Sequence, residues 1–262
     1  MGAQQDKLQV RWQTEAVTGA ARTLILLLAA ALTACSTDSG RDELVVFGAA
    51  SLTDALMMAE LAFETANPEV DIKLNLAGSS SLREQVLGGA RADVVIPANL
   101  GIMDELVERD EVDAGQISIV ATNGLAIAVA PGNPGNIDSA ADFARSEPFL
   151  GVCHPAVPCG SLAYEHFSAR GITPSIDTEE PDVRALLTKV IEGELDAGIV
   201  YESDIVAADG AVDGILMDAP EVSYPAAVTE RSSQPELADR FIAFLRSPDG
   251  QKIFTDVGFR QR

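Results

Sequence analysis

The sequence predicts an α/β fold with two lobes, each a sheet flanked by helices. The first observation is that strand-like apolar runs alternate with helix-spaced apolar residues three times between residues 44 and 107. A βαβαβα series of this kind forms a parallel sheet with helices on both faces. The second observation is that the alternation restarts near residue 123, with no loose linker before it. Together they indicate two α/β lobes joined by short crossings.

The first half of the chain alternates strands and helices in a regular order. Strands are indicated by short apolar runs and by one stretch in which apolar residues alternate. Helices are indicated by apolar residues at helical spacing, and Gly88-Gly89 ends the second of them. In chain order the predicted strands cover 44–47, 70–76 and 92–96, and the predicted helices cover 52–63, 82–87 and 103–107.

The second half repeats the pattern with less regular spacing. The same signals predict strands at 149–153 and 197–201, with short strand candidates at 215–216 and 226–228. They predict helices at about 160–169, 183–191, 237–245 and 251–257.

Three turns of small residues join a strand to a helix, at the strand ends where ligands bind in such sheets. They lie around Ala50-Ser51, Gly78-Ser79 and Cys159-Gly160, and none of them contains Arg or Lys. The first N–H groups of a helix have no intrahelical partner, and the helix dipole adds partial positive charge there. The turns therefore predict an anion site built from neutral donors.

Hydroxyl groups could add to these donors from Ser51, Ser79, Ser80 and Tyr201. A fully ionised oxyanion suits a site made only of donors, because it carries no proton that needs an acceptor. Each residue also has an ordinary structural interpretation. Serine at a helix start commonly serves as the N-cap, and a tyrosine at a strand end is commonly a half-buried core residue.

The composition narrows the function classes. The chain has 262 residues and a formal net charge of -22, which argues against nucleic acid as a partner. An anion site must therefore act through local dipoles, against the field of the whole protein. Two histidines and no Cys/His cluster of ligand spacing argue against a metal site with direct protein ligands, and we expect no cofactor.

The first 34 residues have the pattern of a secretion signal. Arg22 precedes an apolar run that is too short to span a bilayer. Leu32-Thr33-Ala34-Cys35 then resembles the lipobox of bacterial lipoproteins, in which the cysteine is lipidated. We therefore expect a lipoprotein signal peptide at 1–34, a lipid anchor on Cys35 and a tether at 35–43, which place the protein outside the cytoplasm on the cell membrane. A plain cleaved signal and a membrane anchor are the alternatives.

With Cys35 lipidated, Cys153 and Cys159 remain. An even pair in an oxidising compartment favours a disulfide, which would stiffen the segment between the two cysteines. Two free buried thiols are one alternative. A Cys-dependent enzyme, in which His154 activates Cys159, is a remote one.

Six segments, in this order, resemble those of the periplasmic molybdate-binding proteins of ABC importers. They are FGAASLTDA at 47–55, AGSSSL at 77–82, GARAD at 89–93, VPCG at 157–160, DVR at 182–184 and GIVYESD at 198–204. The likeness extends from about residue 44 to residue 258. It implies the class II periplasmic-binding-protein fold, whose two α/β lobes close on a ligand in the cleft between them.

The resemblance also implies which residues bind. Carried over by position, the family's binding residues fall on Ala50, Ser51, Gly78, Ser79, Cys159, Val183 and Tyr201. At Ala50, Gly78 and Cys159 the chain departs from the family's side chains but keeps the backbone N–H donors. The resemblance therefore implies a molybdate oxyanion held by hydrogen bonds, without direct protein–metal bonds.

The function implied by the resemblance is capture of molybdate, and of the nearly isosteric tungstate, for delivery to an ABC permease in the membrane without catalysis. A protein of the same fold for sulfate, thiosulfate or an organic acid is the alternative. We expect residues 44–121 and 224–262 to form lobe one and residues 122–223 to form lobe two. We expect a monomer, because no long apolar stripe is left over for a dimer.

Overall fold

The computed structural model describes residues 41–260. The predicted signal peptide, the lipidation site Cys35 and the tether up to residue 40 lie outside the described residues. Within 41–260 the strands form two five-stranded sheets, and helices pack against each sheet. The predicted two-lobed α/β fold is confirmed.

The predicted strands and helices are present in the predicted order. The structure adds strands at Ser118–Asn123, Leu125–Val129 and Thr178–Glu180 and a helix at Glu202–Ala207. The strands are β1 (Asp42–Ala49), β2 (Val70–Ala77), β3 (Val94–Ile96), β4 (Ser118–Asn123), β5 (Leu125–Val129), β6 (Leu150–Cys153), β7 (Thr178–Glu180), β8 (Ala197–Tyr201), β9 (Asp213–Leu216) and β10 (Val222–Val228). The α-helices are α1 (Thr53–Ala66), α2 (Ser79–Leu87), α3 (Leu100–Glu108), α4 (Pro158–Ala169), α5 (Val183–Ile191), α6 (Glu202–Ala207), α7 (Pro235–Arg246) and α8 (Pro248–Asp256). Short 3-10 helices cover Ala50–Leu52, Ala114–Gln116 and Ala140–Ala144.

The first lobe is built on the sheet with strand order β2-β1-β3-β10-β4. β1 pairs in parallel with β2 and β3, while β10 pairs antiparallel with β3 and β4. The predicted parallel pairing is confirmed for β1, β2 and β3, but β10 makes the sheet as a whole mixed. The physical reason is that β10 arrives from the other lobe and runs back between two strands of the first.

The second lobe is built on the sheet with strand order β7-β6-β8-β5-β9. β6 is parallel to β7 and β8, and β5 is antiparallel to β8 and β9. This sheet is mixed for the same reason, because β5 enters directly from the first lobe.

Two crossings connect the lobes. Gly124 alone separates β4 from β5, and a short segment leads from β9 back to β10. The crossings lie side by side, because Val222 pairs with Asn123 at the end of the β4–β10 ladder. The chain end joins them through an antiparallel bridge between Arg260 and Thr122.

Several element boundaries differ from the predicted ones. β1 begins at Asp42, inside the predicted tether, because Asp42 already pairs with Val70 and its N–H bonds Glu69 O at 2.7 Å. α4 begins at Pro158 rather than near Gly160, since proline fits the first helical position. The last helix begins at Pro248, where the Ser247 side chain caps it.

The predicted amphipathic helix near the chain end is confirmed as α7. Leu237, Phe241 and Leu245 recur every four residues and are all buried against the first lobe. Phe241 meets Phe63 of α1 edge to face, with ring centroids 5.3 Å apart. None of the helices within 41–260 combines the length and apolar character that crossing a bilayer requires.

Candidate functional site

The starts of four helical segments converge on one small cavity between the lobes. All seven residues predicted to bind line it: Ala50, Ser51, Gly78, Ser79, Cys159, Val183 and Tyr201. The cavity volume is about 20 Å³. One water molecule needs roughly 10–15 Å³ on this measure, so the space suits a small ion and not an organic molecule of many atoms.

Three of these helix starts lack a side-chain cap. Ala49, Gly78 and Val157 occupy the N-cap positions, and none of their side chains accepts a hydrogen bond from the helix. The first N–H groups, which no intrahelical bond can satisfy, are therefore left for a ligand in the cavity. Apolar or absent side chains at these caps also let an anion approach the backbone closely.

The fourth helix start is capped in a different way. Asp182 lines the cavity, and its Oδ1 accepts the N–H groups of Arg184 and Ala185, both at 2.9 Å. This cap uses the second and third N–H groups of α5 and leaves the first, on Val183. The carboxylate is therefore turned to its own helix by two hydrogen bonds.

The lobes meet closely beside the cavity. A Cβ on Gly78 would lie 2.8 Å from the carbonyl oxygen of Pro181 in the other lobe, so the contact requires glycine. Ser80, which the sequence offered as a ligand hydroxyl, instead donates to Ala156 O across the cleft at 2.6 Å. The lobes are thus closed on one another.

Two serine hydroxyls belong to the site, and each has one hydrogen-bond partner in the described chain. Ser79 Oγ accepts the N–H of Ala98 at 3.0 Å, which leaves its own hydrogen for another acceptor. Ser51 Oγ lies 3.0 Å from the phenolic oxygen of Tyr224, a residue that the sequence did not suggest for the site. Both serines are buried and line the cavity.

Tyr201 contributes a phenol that the rest of the described chain leaves unpaired. Its Oη is buried and has no hydrogen-bond partner within residues 41–260. Burial, reinforced by Tyr224 and then Asp204, raises the pKa of Tyr201 well above its ordinary value. The phenol therefore keeps its proton and can only gain by donating it to an acceptor in the cavity.

No Arg, Lys or His side chain from the described part of the chain lines the cavity. The cation next to it is Arg184, whose Nη2 donates to Asp54 Oδ2 across the cleft at 2.5 Å. Its Nε lies 3.2 Å from Oδ1 of Asp204. Burial raises the pKa of Asp204 to about 6, although Arg184 counteracts part of that rise. Arg184 thus connects the two lobes through a pair of carboxylates.

The predicted disulfide is confirmed. Cys153 at the end of β6 is bonded to Cys159 in the first turn of α4, with Cα atoms 5.6 Å apart. The bond fixes the start of α4 against the strand. It also occupies the sulfur that a cysteine nucleophile would need, and His154 does not line the cavity but accepts the Ala156 N–H at 3.2 Å.

The sequence did not single out several residues around the cavity. No local pattern assigns a site role to Tyr224, to Asn123 or to the Arg184–Asp54 pair. These contacts join residues more than a hundred positions apart, so no local pattern could reveal them. The one available signal was Asn123, a polar residue between two apolar runs.

Comparison with known proteins identifies the family. The sequence profile of the bacterial extracellular solute-binding proteins matches residues 44–260. The molybdate-binding protein ModA of Mycobacterium tuberculosis H37Rv is 37% identical over 248 residues, which cover 89% of this chain and 94% of that relative.

Solved structures agree with that assignment. The substrate-binding domain of a putative molybdenum ABC transporter from Clostridium difficile matches with a TM-score of 0.64 and 25% identity, over 84% of this chain and 99% of that one. The sulfate-binding protein SubI of M. tuberculosis H37Rv has a TM-score of 0.76 over 84% of this chain and 87% of its own, and its 18% identity shows a shared fold alone. The resemblance to molybdate-binding proteins seen in the sequence is confirmed, and the relatives are solute-binding proteins. The chain therefore belongs to the bacterial extracellular solute-binding proteins.

Proposed function

We propose that this protein captures molybdate outside the cytoplasm and delivers it to an ABC permease. The observation that carries the proposal is the donor set of the cavity, which combines uncapped helix starts with the unpaired phenol of Tyr201. Every one of these groups donates, so the complementary ligand is a small oxyanion without protons. The ModA relatives are named for molybdate, which is an oxyanion of this kind.

Hydrogen bonds to a charged acceptor contribute roughly 1.5–3 kcal/mol each. Burying a dianion without a counter-charge is costly, so several aligned donors are needed at once. The backbone N–H groups of Ala50, Ser79, Cys159 and Val183, with the hydroxyls of Ser51 and Tyr201, supply such a set. In this proposal the metal is held as an oxyanion and the protein needs no cofactor.

The proposal includes tungstate, because tungstate and molybdate are tetrahedral dianions of almost the same size. It also includes a non-catalytic role, in which the lobe that holds β1 to β4 and β10 and the lobe that holds β5 to β9 act as the two halves of a trap. A lipid on Cys35 would keep a monomeric protein beside its permease.

Sulfate is the second candidate ligand, because a sulfate-binding protein of Synechococcus elongatus is 24% identical over 75% of this chain. Titration calorimetry of the processed protein with molybdate, tungstate, sulfate and phosphate separates the candidates. We expect tight and similar binding of the first two ions and much weaker binding of the others. Sulfate binding as tight as molybdate binding would overturn the molybdate assignment.

A further inference from the structure

A chain of buried polar side chains connects the lobe crossing to the cavity. Ser51 Oγ lies 3.0 Å from Tyr224 Oη, and Asn123 Nδ2 lies 3.5 Å from the same phenolic oxygen. All three residues are buried. Asn123 ends β4 and Tyr224 belongs to β10. The row of hydrogen-bonded side chains therefore begins where the two lobes join and ends at the ligand cavity.

The surroundings of Asn123 decide which way its amide points. Its Oδ1 accepts the backbone N–H of Gly124 at 2.9 Å and that of Ser203 at 3.4 Å. A flipped amide would turn its own hydrogens toward both of these donors. Nδ2 is therefore the group that faces Ser203 Oγ, at 2.8 Å, and Tyr224 Oη.

The direction of the next hydrogen bond follows from the first. Asn123 donates to Tyr224 Oη, so the phenol hydrogen is free to point the other way, at Ser51. Burial raises the pKa of Tyr224, and the phenol consequently keeps that hydrogen. Ser51 Oγ then accepts from Tyr224, and no other side-chain partner of Ser51 exists among the described residues. The Ser51 hydrogen is left for the cavity.

We propose that Asn123 and Tyr224 are positioning residues that make Ser51 an obligate donor to the ligand. This inference rests on the proposed oxyanion function and adds to it the means of rejecting protonated oxyanions. A ligand O–H aimed at Ser51 would turn the serine hydrogen toward Tyr224 Oη. The phenol hydrogen would then lose its acceptor, because Asn123 presents only N–H groups to that oxygen. Hydrogen bonds in such a chain polarise one another, so the fixed direction also strengthens the bond to an anion.

Asn123→Asp tests the direction, because it turns the donor facing Tyr224 into an acceptor at nearly constant shape. Tyr224 then donates to the carboxylate, and Ser51 must donate to Tyr224 in place of the ligand. Loss of one bond to a charged acceptor predicts at least about tenfold weaker molybdate binding. Tyr224→Phe is the second variant. It leaves Ser51 free to accept or donate, so rejection of protonated ions weakens.

The readout is the ability of sulfate and phosphate to displace molybdate at pH 7. These ions have similar size and shape, but phosphate carries a proton, so the ratio of their affinities reports proton rejection separately from cavity size. We expect the phosphate-to-sulfate affinity ratio to rise in both variants. Thermal unfolding without ligand checks that each variant folds.

Ser51→Ala supplies the matched control. In this background the network has no hydroxyl to direct, so adding Asn123→Asp should no longer change the phosphate-to-sulfate ratio. A ratio unchanged in both folded single variants, or changed equally in the Ser51→Ala background, would overturn the inference while leaving molybdate binding in place. Failure of the unmodified protein to bind any oxyanion would overturn the proposed function as well, and that result is distinct from the others.

Discussion

Replacing Tyr201 by phenylalanine removes one hydroxyl from the cavity and keeps the aromatic ring. The hydroxyl is buried and has no partner in the described chain, so the ligand is the acceptor that we assign to it. A hydrogen bond to a charged acceptor contributes about 1.5–3 kcal/mol. We therefore expect molybdate binding to weaken by about 2 kcal/mol, or roughly 30-fold in Kd.

The same substitution should act in the opposite direction on the ligand-free protein. A buried donor without a partner costs free energy, so its removal should leave the free energy of unfolding unchanged or raise it by up to about 1 kcal/mol. A tyrosine needed only for an internal hydrogen bond would give the opposite sign, with lower stability and unchanged affinity.

Calorimetric titration and thermal unfolding, each with and without molybdate, measure both effects. Tyr164→Phe is the matched control, because the Tyr164 hydroxyl donates to Glu179 at 2.6 Å and does not line the cavity. The control should bind molybdate as the unmodified protein does. Unchanged affinity in Tyr201→Phe would remove that hydroxyl from the site and refute the reasoning from unpaired donors.

Three further predictions concern the disulfide, the contact across the cleft and a buried acid. Replacing Cys153 and Cys159 together by alanine should lower the free energy of unfolding by about 2 kcal/mol. It should also weaken molybdate binding, because the start of α4 loses its fixed position. Chemical denaturation and titration calorimetry measure the two effects, and an unchanged affinity for molybdate would contradict the second. Arg184→Ala should speed molybdate release in stopped-flow experiments. Adding Asp54→Asn to that variant should change the release rate little further, because both substitutions break the same contact. Fully additive effects on the release rate would show that the two residues act separately. The pKa of Asp204 is raised from 3.8 to about 6 in the folded protein, so its contribution to stability is present below pH 4 and is lost as the pH rises through about 6, by roughly 3 kcal/mol. Unfolding of the ligand-free protein between pH 4 and 7 should therefore show a weaker pH dependence in Asp204→Asn, and parallel curves would disprove the assignment.

The fold could be predicted from the sequence because its signals are local. Apolar alternation gave β2, and apolar residues every three or four positions gave α1 and α7. Strand direction could not be predicted in the same way, since periodicity does not say which neighbour a strand joins. β10 reads as a short apolar segment, and only its position between β3 and β4 makes the sheet mixed.

In the candidate site too, features that depend on neighbouring residues could be predicted, and features that depend on long-range contacts could not. Backbone donors at helix starts follow from a strand, a turn of small residues and a helix, which are adjacent in the chain. Asn123 and Tyr224 are 101 positions apart, and each would pass as an ordinary residue of its own strand. Their joint effect on Ser51 arises only when the two crossings lie side by side.

The contacts across the cleft have a consequence for how long an ion stays bound. A net charge of -22 repels dianions at a distance, so the protein cannot gain affinity by attracting them quickly. Tight binding must then come from a long residence time behind the closed lobes. In the proposed function, parting of the Ser80–Ala156 and Arg184–Asp54 contacts would open the cleft and let the ion leave. A permease that separates these two pairs would shorten the residence time without ever competing for the ion.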